Sequence, residues 1–319
     1  MQAIRCTQLG PPETLVLEEI PAPTAGPGQL LMTVKAAGVN VPDVLIIQGK
    51  YQIKPQLPFT PGYEVAGVVT AVGDGVAGVQ LGDHGVAQTA LGGFAEQAVV
   101  NAKLFFTVPK SVDFVAAAAL PIAYGTSYYA LKDRGHLQPG ETLLVLGAAG
   151  GVGLAAVQLG KLMGARVIAC ASSADKLATC KKHGADDLVN YASEDLREAI
   201  KRLTAGRGVD VVLDPVGGAC AEPCVRGMAW KGRYLVVGFA AGEIPKIPLN
   251  LALLKGCSIV GVACMEPAGS AENFRRLIAW IAAGELKPVV SATYPLARTA
   301  DALTDMMRRK VQGKVVILP

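Results

Sequence analysis

The chain has 319 residues, of which 51% are hydrophobic and 18% charged, and its net charge at neutral pH is +4. This length predicts two domains, and the composition supplies apolar residues for two cores. The basic residues are scattered, and the densest cluster, Arg308–Lys310, is interpreted as a solvated helix end, so no nucleic-acid partner is expected. The start of the chain lacks the pattern of a secretory signal, and the uncharged stretch 143–160 is too rich in glycine for a spanning helix. These observations predict a cytoplasmic protein without a membrane partner.

The cysteines do not form a disulfide framework. Their number is odd, and their spacing is irregular. The one close pair, Cys220 and Cys224, has no neighbouring histidine that would indicate a metal site. Both features favour a reducing compartment in which most of the thiols are small buried hydrophobic groups.

Residues 1–122 are predicted to be all-β. Short apolar runs at Leu30–Val34, Val65–Val72 and Phe94–Val100 are separated by residues typical of turns.

From about residue 123 the pattern changes to alternating strands and helices. The predicted strands are Thr142–Leu146, Arg166–Cys170, Asp187–Asn190, Val209–Leu213, Arg233–Val237 and Ser258–Val262. The predicted helices between them span 151–163, 175–183, 194–204 and 218–229. Six parallel strands joined by helices predict a doubly wound α/β sheet. In the tail, a helix at Ala271–Ala283 precedes strands at Val289–Tyr294 and Val315–Leu318.

A glycine-rich turn follows the first strand of this second region. After Leu143–Leu146 the chain reads Gly-Ala-Ala-Gly-Gly-Val-Gly and then becomes helical. Such a turn brings bare N–H groups and a helix N-terminus to a dinucleotide pyrophosphate, which predicts binding at Gly150, Gly151 and Val152. Gly153 is expected to allow close helix–strand packing, and Ala148 replaces the first glycine of the usual pattern.

The chain resembles the medium-chain dehydrogenase/reductase superfamily, in its zinc-free quinone oxidoreductase branch. The matching segments extend almost from end to end. They are Ala37–Asp43 with Gly49–Tyr51, Pro61–Val69, Leu81–His84, Leu120–Leu131, His183–Tyr191, Asp214–Gly217 and Gly313–Val316.

The resemblance implies a Rossmann doubly wound parallel sheet together with a GroES-like, partly open β-barrel domain. Residues 1–122 and 265–319 would form the GroES-like catalytic domain, and residues 123–264 the dinucleotide-binding domain, with the active site in the cleft between them. Relatives of this kind often form homodimers by pairing their last Rossmann strands, here Ser258–Val262.

The resemblance also predicts that no metal takes part. Zinc-dependent members carry cysteine and histidine ligands where this chain has Asn40-Val41 and Tyr63, and their structural zinc lobe would fall in a stretch without cysteine. His84 is interpreted as a turn residue. Without a Lewis acid, an already electrophilic conjugated acceptor is the easier substrate to reduce.

NADPH is predicted as the coenzyme. Ala171 stands where NAD-preferring Rossmann folds hold an acidic residue, and Ser172, Ser173 and Lys176 follow. The resemblance assigns Lys176 and Tyr191 to the adenosine-phosphate side. Asp175, which would repel a phosphate, is interpreted as a helix cap or first-turn residue.

Asn40 and Tyr51 match family positions at the nicotinamide end and are the predicted catalytic residues, with Asn40 also contacting the coenzyme. For Tyr51, a substrate-orienting or proton-supplying hydroxyl and plain loop packing both remain open. Asp43 is assigned a structural hydrogen bond in its loop in preference to acid–base work, and Glu64 a structural or pocket-lining role.

Further coenzyme contacts are implied beside the nicotinamide and along the carboxyl ends of the strands. Thr126 is expected on the nicotinamide side, and Gly217, Gly238 and Phe239 follow the fourth and fifth strands. Arg309, near the end of the chain, resembles a family coenzyme contact. Tyr129 is left between pocket stacking and packing, Arg309 between coenzyme contact and solvation, and Cys264 between a thiol near the nicotinamide and inert packing.

The leading hypothesis is an NADPH-dependent quinone reductase. Transfer of single electrons and transfer of a hydride both remain open. The alternative is an enoyl reductase acting on acyl-CoA, acyl-carrier-protein or free enone substrates, since fold alone does not fix the substrate. A nucleotide-sensing protein without turnover is the third hypothesis.

Overall fold

The computed structural model describes residues 1–263 and 269–319 of the chain. These residues form two compact units, one built from Met1–Gly125 with Ser270–Pro319 and the other from Thr126–Gly269.

The strands in chain order are β1 (Gln2–Arg5), β2 (Val16–Glu19), β3 (Gln29–Gly38), β4 (Glu64–Val72), β5 (His84–Gln88), β6 (Gln97–Asn101), β7 (Phe105–Thr107), β8 (Thr142–Val145), β9 (Arg166–Ala171), β10 (Asp187–Asn190), β11 (Val209–Asp214), β12 (Met228–Val236), β13 (Ser258–Gly261), β14 (Val290–Pro295) and β15 (Lys314–Leu318). The α-helices are α1 (Val41–Ile47), α2 (Phe114–Ala118), α3 (Gly125–Tyr129), α4 (Gly151–Leu162), α5 (Ala174–Lys182), α6 (Leu196–Leu203), α7 (Ala221–Arg226), α8 (Asn250–Lys255), α9 (Ala271–Ala282) and α10 (Thr299–Met307).

The first unit is built around a mostly antiparallel sheet in the order β14-β15-β3-β4-β5-β7, with β6 paired to β3. The long strand β3 alternates along its first half, so that Leu30, Met32 and Val34 enter the core. β1 and β2 form a separate antiparallel pair.

The all-β prediction for residues 1–122 was wrong, because α1 and α2 lie within that range. α1 begins at Val41 because the Asp43 carboxylate accepts the Asn40 backbone N–H at 2.8 Å, which closes one half of a capping box. Pro42 is tolerated in this first turn, where its missing N–H costs no intrahelical bond. The helix is only seven residues long, too short for its periodicity to stand out from the surrounding strands.

The second unit holds a six-stranded, fully parallel sheet in the order β10-β9-β8-β11-β12-β13. The predicted doubly wound sheet is confirmed. The chain leaves the middle of the sheet in opposite directions from β8 and β11, and the carboxyl ends of these two strands therefore flank the crevice where such sheets bind ligands.

The predicted helix 218–229 was wrong at its end. Gly227 terminates α7, and Met228 is buried as the first residue of β12, where it pairs with Val209. An apolar residue on a buried parallel strand looks the same in sequence as one on a buried helix face.

Candidate active site

The turn between β8 and α4 is fixed by packing at one end and open at the other. A Cβ on Gly153 would lie 2.2 Å from the Gly147 carbonyl oxygen and 2.8 Å from the Ala148 Cα, so the predicted packing role of Gly153 is confirmed. A Cβ on Gly150 would meet nothing nearer than 3.4 Å. The free space beside Gly150 leaves the backbone accessible to a ligand.

Gly150 is the N-cap of α4, and the backbone N–H groups of the following first turn lack acceptors within the helix. The helix has twelve residues, so its dipole adds to the attraction for an anion. Ser127, which follows Thr126, is buried and donates to the Val152 carbonyl oxygen at 2.8 Å, which ties the start of α3 to this turn. A dinucleotide pyrophosphate fits these groups.

The next strand, β9, ends with polar groups of the kind that bind a phosphate. Ala171 is buried at the strand end, and Ser172 is exposed immediately after it. The Ser173 hydroxyl oxygen accepts the Lys176 backbone N–H at 3.5 Å and is the N-cap of α5, which places Asp175 in the first turn of that helix. Tyr191, at the end of β10, donates its backbone N–H to the Ala171 carbonyl oxygen at 3.2 Å. The four residues predicted for the adenosine-phosphate side therefore lie at the ends of two adjacent strands.

The loops after β11 and β12 are held together by backbone hydrogen bonds. Gly217 has a φ of +68°, and a Cβ there would lie 2.9 Å from the ring of Phe239. The Ala240 N–H donates to Pro215 at 3.0 Å, and Ala241 donates to Val216 at 2.8 Å. Gly217, Gly238 and Phe239 are thus brought together at the carboxyl ends of neighbouring strands, as their sequence positions predicted.

Asp214 organises the first of these loops from within the core. Its Oδ1 accepts the backbone N–H groups of Val216 and Gly217 at 2.7 and 2.8 Å, and Tyr234 donates its hydroxyl to Oδ2. Burial, followed by the neighbouring Asp214 charge, raises the pKa of Tyr234 and keeps this phenol a donor. Sequence reasoning missed Tyr234 because nothing in a buried strand pattern marks one hydroxyl as the partner of a distant carboxylate.

In the first unit, four polar side chains form a buried network: Asn40, Asp43, Glu64 and Lys314. Each has no more than 6% of its surface exposed. The Lys314 ammonium donates to Glu64 Oε1 at 2.6 Å, Asn40 Oδ1 at 2.7 Å and the Val39 carbonyl oxygen at 2.9 Å, which uses all three of its protons.

The Asn40 amide is fully engaged in this network. Its Nδ2 donates to Glu64 Oε1 at 2.8 Å and to the Gly38 carbonyl oxygen at 3.3 Å, while its Oδ1 receives Lys314. The geometry therefore favours Asn40 as a residue that shapes its surroundings. The catalytic role and the coenzyme contact expected of Asn40 remain predictions.

Glu64 also ties β4 to the segment after α2. Its Oε2 accepts the Ile122 backbone N–H at 2.7 Å. A Cβ on Gly38 would lie 2.2 Å from Glu64 Oε1, so this glycine makes room for the carboxylate. Of the two roles left open for Glu64, these contacts match the structural one. Lys314 lies in the matching segment Gly313–Val316, and its role in this network was not predicted.

Asp43 lies at the junction of α1 and the segment before β4. Its two carboxylate oxygens accept the backbone N–H groups of Asn40 at 2.8 Å and Gly62 at 3.1 Å, which confirms the predicted structural hydrogen bond. Burial raises the pKa of Asp43 to about 7, although these two N–H groups and the Lys314 charge oppose the rise.

Two tyrosines lie close to this carboxyl. The rings of Tyr51 and Tyr63 meet edge to face with centroids 6.0 Å apart. Burial, followed by the Asp43 charge, raises the pKa of Tyr51, so its phenol stays protonated at neutral pH. Among the described residues, neither phenol has a hydrogen-bond partner, and the Tyr63 oxygen is buried. Both rings also pack against the core, so the two roles considered for Tyr51 stay open.

Known proteins match nearly the whole chain. The model of the alcohol dehydrogenase GroES-like domain matches residues 26–110, and that of the zinc-binding dehydrogenase matches residues 151–283. A quinone oxidoreductase-like protein 2 homolog from Nematostella vectensis is 39% identical over 99% of this chain and 88% of its own length.

The chain belongs to the quinone oxidoreductase branch of the medium-chain dehydrogenase/reductase superfamily. Human quinone oxidoreductase is 33% identical over 100% of this chain and 98% of its own length. The crystal structure of Escherichia coli quinone oxidoreductase complexed with NADPH superimposes with a TM-score of 0.92, at 30% identity over 100% of both chains. The resemblance drawn from the motifs is confirmed, and so is the fold, a GroES-like unit and a Rossmann-like sheet.

One of these family models carries zinc in its name. This chain has Asn40 and Tyr63 where the sequence comparison above placed the cysteine and histidine ligands of zinc-dependent members. Among residues 1–263 and 269–319, no group of three histidine, cysteine, aspartate or glutamate side chains could hold a metal ion. The interpretation of His84 as a turn residue was wrong. His84 is the first residue of β5 and pairs with Val68, because Gly82, with a φ of +86°, already makes the turn.

The remaining predicted residues belong to different elements. Thr126 is half-buried in α3. Tyr129 packs over Gly269, where a Cβ would approach its ring to 2.1 Å. Arg309 is exposed after α10, in the first unit. Cys264 lies outside the described residues.

Within the described part of the chain, no helix has both the length and the apolar character needed to span a membrane.

Proposed function

We propose that this protein is an NADPH-dependent quinone oxidoreductase that reduces quinones or similar conjugated carbonyl compounds without zinc. The observation that carries the proposal is the end of β9, where buried Ala171 is followed by Ser172, Ser173 and Lys176. A carboxylate at the strand end would repel a 2′-phosphate, whereas hydroxyls and an ammonium group bind one. The NADPH complex of the Escherichia coli relative supports the same coenzyme.

In this proposal the coenzyme is held from one end to the other by groups already described. The first turn of α4, at Gly150, Gly151 and Val152, binds the pyrophosphate. The adenosine-phosphate side is bound by Ser172, Ser173, Lys176 and Tyr191. The nicotinamide side is contacted by Asn40, Thr126, Gly217, Gly238 and Phe239, and Arg309 adds a further contact. NADPH, when bound, supplies the reducing equivalents.

The role of the first unit is to present a protonated hydroxyl and to keep its surroundings fixed. The Tyr51 phenol, protonated and without a partner among the described residues, donates to the oxygen of the acceptor as negative charge develops there. Asn40, held by Lys314 and Glu64, keeps the loop before α1 in place. Only interactions that strengthen as charge develops on the substrate increase the rate of the chemical step. The Tyr51 hydroxyl can make such an interaction, so Tyr51 and not Asn40 is the proposed catalytic group.

The test is steady-state coenzyme oxidation with a panel of quinones, measured with NADPH and with NADH. We expect faster turnover with NADPH, and no loss of activity after chelation of a protein preparation that contains no stoichiometric zinc. Preference for NADH would contradict the coenzyme assignment. Zinc bound at one ion per chain would contradict the metal-free assignment.

Tyr51 also supports an enoyl reductase as the second candidate. Saturating an enone requires a proton at the carbon next to the carbonyl, whereas the oxygens of a reduced quinone exchange protons with water. A protonated phenol without a partner suits that carbon protonation. Crotonyl-CoA and small alkenals, assayed beside the quinones, separate the two. Rates on enoyl thioesters far above those on every quinone would favour the enoyl reductase.

A homodimer is proposed from the edge of the parallel sheet. β13 is the last strand of the sheet, and three of its four residues are exposed. An edge strand presents unpaired backbone groups to a second copy. Size-exclusion chromatography with light scattering would detect the dimer.

A cytoplasmic location is proposed as well, because the free thiols of the described cysteines suit a reducing compartment. We also propose functional domains at 1–122 with 265–319 and at 123–264.

A further inference from the structure

A strongly basic pocket lies on the second unit, lined by α6, the segment before β11, the end of α7, the start of β12 and the end of α8. It has a volume of about 380 Å³, which is within the size range of small-molecule sites. Its lining includes five basic residues and no acidic one. These are Arg197, Lys201, Arg207, Arg226 and Lys255.

Three of the five cations already have partners. Arg207 pairs with Asp210 at 2.8 Å, Arg226 pairs with Glu222 at 2.6 Å, and Lys255 donates to the Met228 carbonyl oxygen at 2.8 Å. Arg197 and Lys201, one helical turn apart on α6, make no side-chain hydrogen bond or ion pair to any residue that the structure describes. The pocket therefore has two cations available for an outside anion.

The position of Arg197 is not explained by its own helix. Basic residues near helix C-termini are favoured by the helix dipole, which accounts for Lys201, Arg226 and Lys255 in the last turns of their helices. Arg197 lies in the first turn of α6, where the dipole opposes a positive charge. A bound anion would offset this repulsion.

Trp230 gives the pocket an aromatic surface. It is 68% exposed, which is unusual for a tryptophan. One edge of the ring lies beside Gly256, since a Cβ there would lie 3.3 Å from Trp230 Cζ2 and Cη2. A ring that already lies beside the backbone on one edge can stack on a planar ligand with its exposed face. Leu254 adds apolar lining beside it.

We infer that this pocket is a binding site for a nucleoside phosphate, separate from the dinucleotide turn. Its phosphate groups pair with Arg197 and Lys201, and its base stacks on Trp230. An anion without a ring would leave Trp230 unused, and an uncharged nucleoside would leave the two cations unused. The combination of charge and aromatic surface favours a ligand that carries both.

The test uses the full chain labelled with 5-fluorotryptophan and fluorine NMR. The chain has two tryptophans, so Trp230→Phe assigns the two resonances. Titration with ADP is expected to shift the Trp230 resonance saturably and to leave that of Trp280 in place. Adenosine and inorganic pyrophosphate are each expected to bind more weakly than ADP.

The variant Arg197→Ala/Lys201→Ala is expected to weaken ADP binding at least about tenfold, because two charge-assisted hydrogen bonds are lost. Lys110→Ala/Arg275→Ala removes the same charge from exposed positions of the first unit and is expected to leave the affinity unchanged. The Trp230 resonance reports this pocket directly, so its result is independent of whether the protein oxidises NADPH.

Several outcomes would overturn the inference. They are the absence of a saturable Trp230 shift, an equal shift in the Arg197→Ala/Lys201→Ala variant, or pyrophosphate binding as tightly as ADP. A Trp230 shift on dilution without ligand would show that a second copy of the chain covers the pocket. Tighter binding of polyglutamate than of ADP, lost in the same variant, would assign the pocket to an acidic protein.

Discussion

The two units prepare their candidate sites by different means. The first unit buries ionisable side chains, with Lys314 and Glu64 paired at 2.6 Å inside the core. The second unit relies on backbone groups and on missing side chains, with Gly150 and Gly153 at the start of α4. Buried charges are costly to leave unpaired, whereas accessible N–H groups at a helix start can be satisfied by water. Removing one partner from the first arrangement is therefore expected to cost stability, and filling the space in the second is expected to cost binding.

The largest expected effect is the loss of the buried cation. Lys314→Met removes the cation that pairs with the buried Glu64 carboxylate, and the free energy of unfolding should fall by about 3–5 kcal/mol. Lys310→Met is the matched control, because Lys310 forms an exposed ion pair with Asp305 at 3.5 Å and should cost less than about 1 kcal/mol. Urea unfolding of both variants measures the difference.

A second variant keeps this prediction specific. Adding Glu64→Gln to Lys314→Met removes the unpaired charge and should restore part of the lost stability. Equal stability of Lys314→Met and Lys310→Met would contradict the contrast between a buried and an exposed pair.

The second unit should respond to its two glycines in different ways. Gly153→Ala places a methyl against the Gly147 carbonyl oxygen and should cost about 1–3 kcal/mol of stability, despite the better helix propensity of alanine. Gly150→Ala has room for its methyl and should keep stability within about 0.5 kcal/mol. The same methyl occupies the space assigned to the pyrophosphate, so NADPH affinity should fall.

Thermal unfolding and NADPH titration of the two variants separate packing from binding. If Gly150→Ala binds NADPH as tightly as the parent protein, the pyrophosphate does not approach the backbone at this position.

Asp43 predicts a pH-dependent contribution from the first unit. Its pKa rises from the model-compound value of 3.8 to about 7 on folding, so the folded state keeps a proton that the unfolded state releases. Stability should therefore fall as the pH rises from about 4 to about 7, by at most about 1.4 kcal/mol per pH unit, and become level above that range.

Asp43→Asn lacks the titrating group and should lose this part of the slope, even though the amide cannot accept both N–H groups and lowers stability at every pH. Urea unfolding of the variant and the parent across this range gives the two slopes. Identical slopes would show that Asp43 does not titrate there.

The smallest expected effect is the one on coenzyme choice. Lys176→Ala should raise the KM for NADPH about tenfold and leave that for NADH almost unchanged, since only the former carries the 2′-phosphate. Lys182→Ala, at an exposed position in the last turn of α5, is the control and should change neither value. A parallel rise for both coenzymes in Lys176→Ala would indicate damage to α5 and not a lost phosphate contact.

The second unit could be predicted more completely than the first. Its strands are buried apolar runs that alternate with helices, and each is bounded by glycine or polar residues, so β8–β11 were predicted to within one residue at either end. The exception was the start of β12, where Met228 has the same apolar character in a helix and in a strand. In the first unit, α1 was missed because its seven residues hold too few turns to show a period.

The candidate site divides in the same way. The residues of the glycine turn and of the β9 end are neighbours in the chain, and the rule that parallel strands present their carboxyl ends at one edge brings them together. Asp214 and Tyr234 are also on adjacent strands, yet their hydrogen bond was not predicted, because register and side-chain direction decide which polar groups meet.

By itself, the sequence determined the parallel sheet, the glycine turn after β8 and the absence of an acidic residue at Ala171. These follow from local periodicity and from backbone freedom at single positions, which neighbouring residues encode. Only the tertiary structure decided that Lys314 would meet Asn40, 274 positions earlier, and that both would meet Glu64 inside the core. Strand order and register set that convergence, and the cost of burying an unpaired charge fixes the partners once the strands have paired.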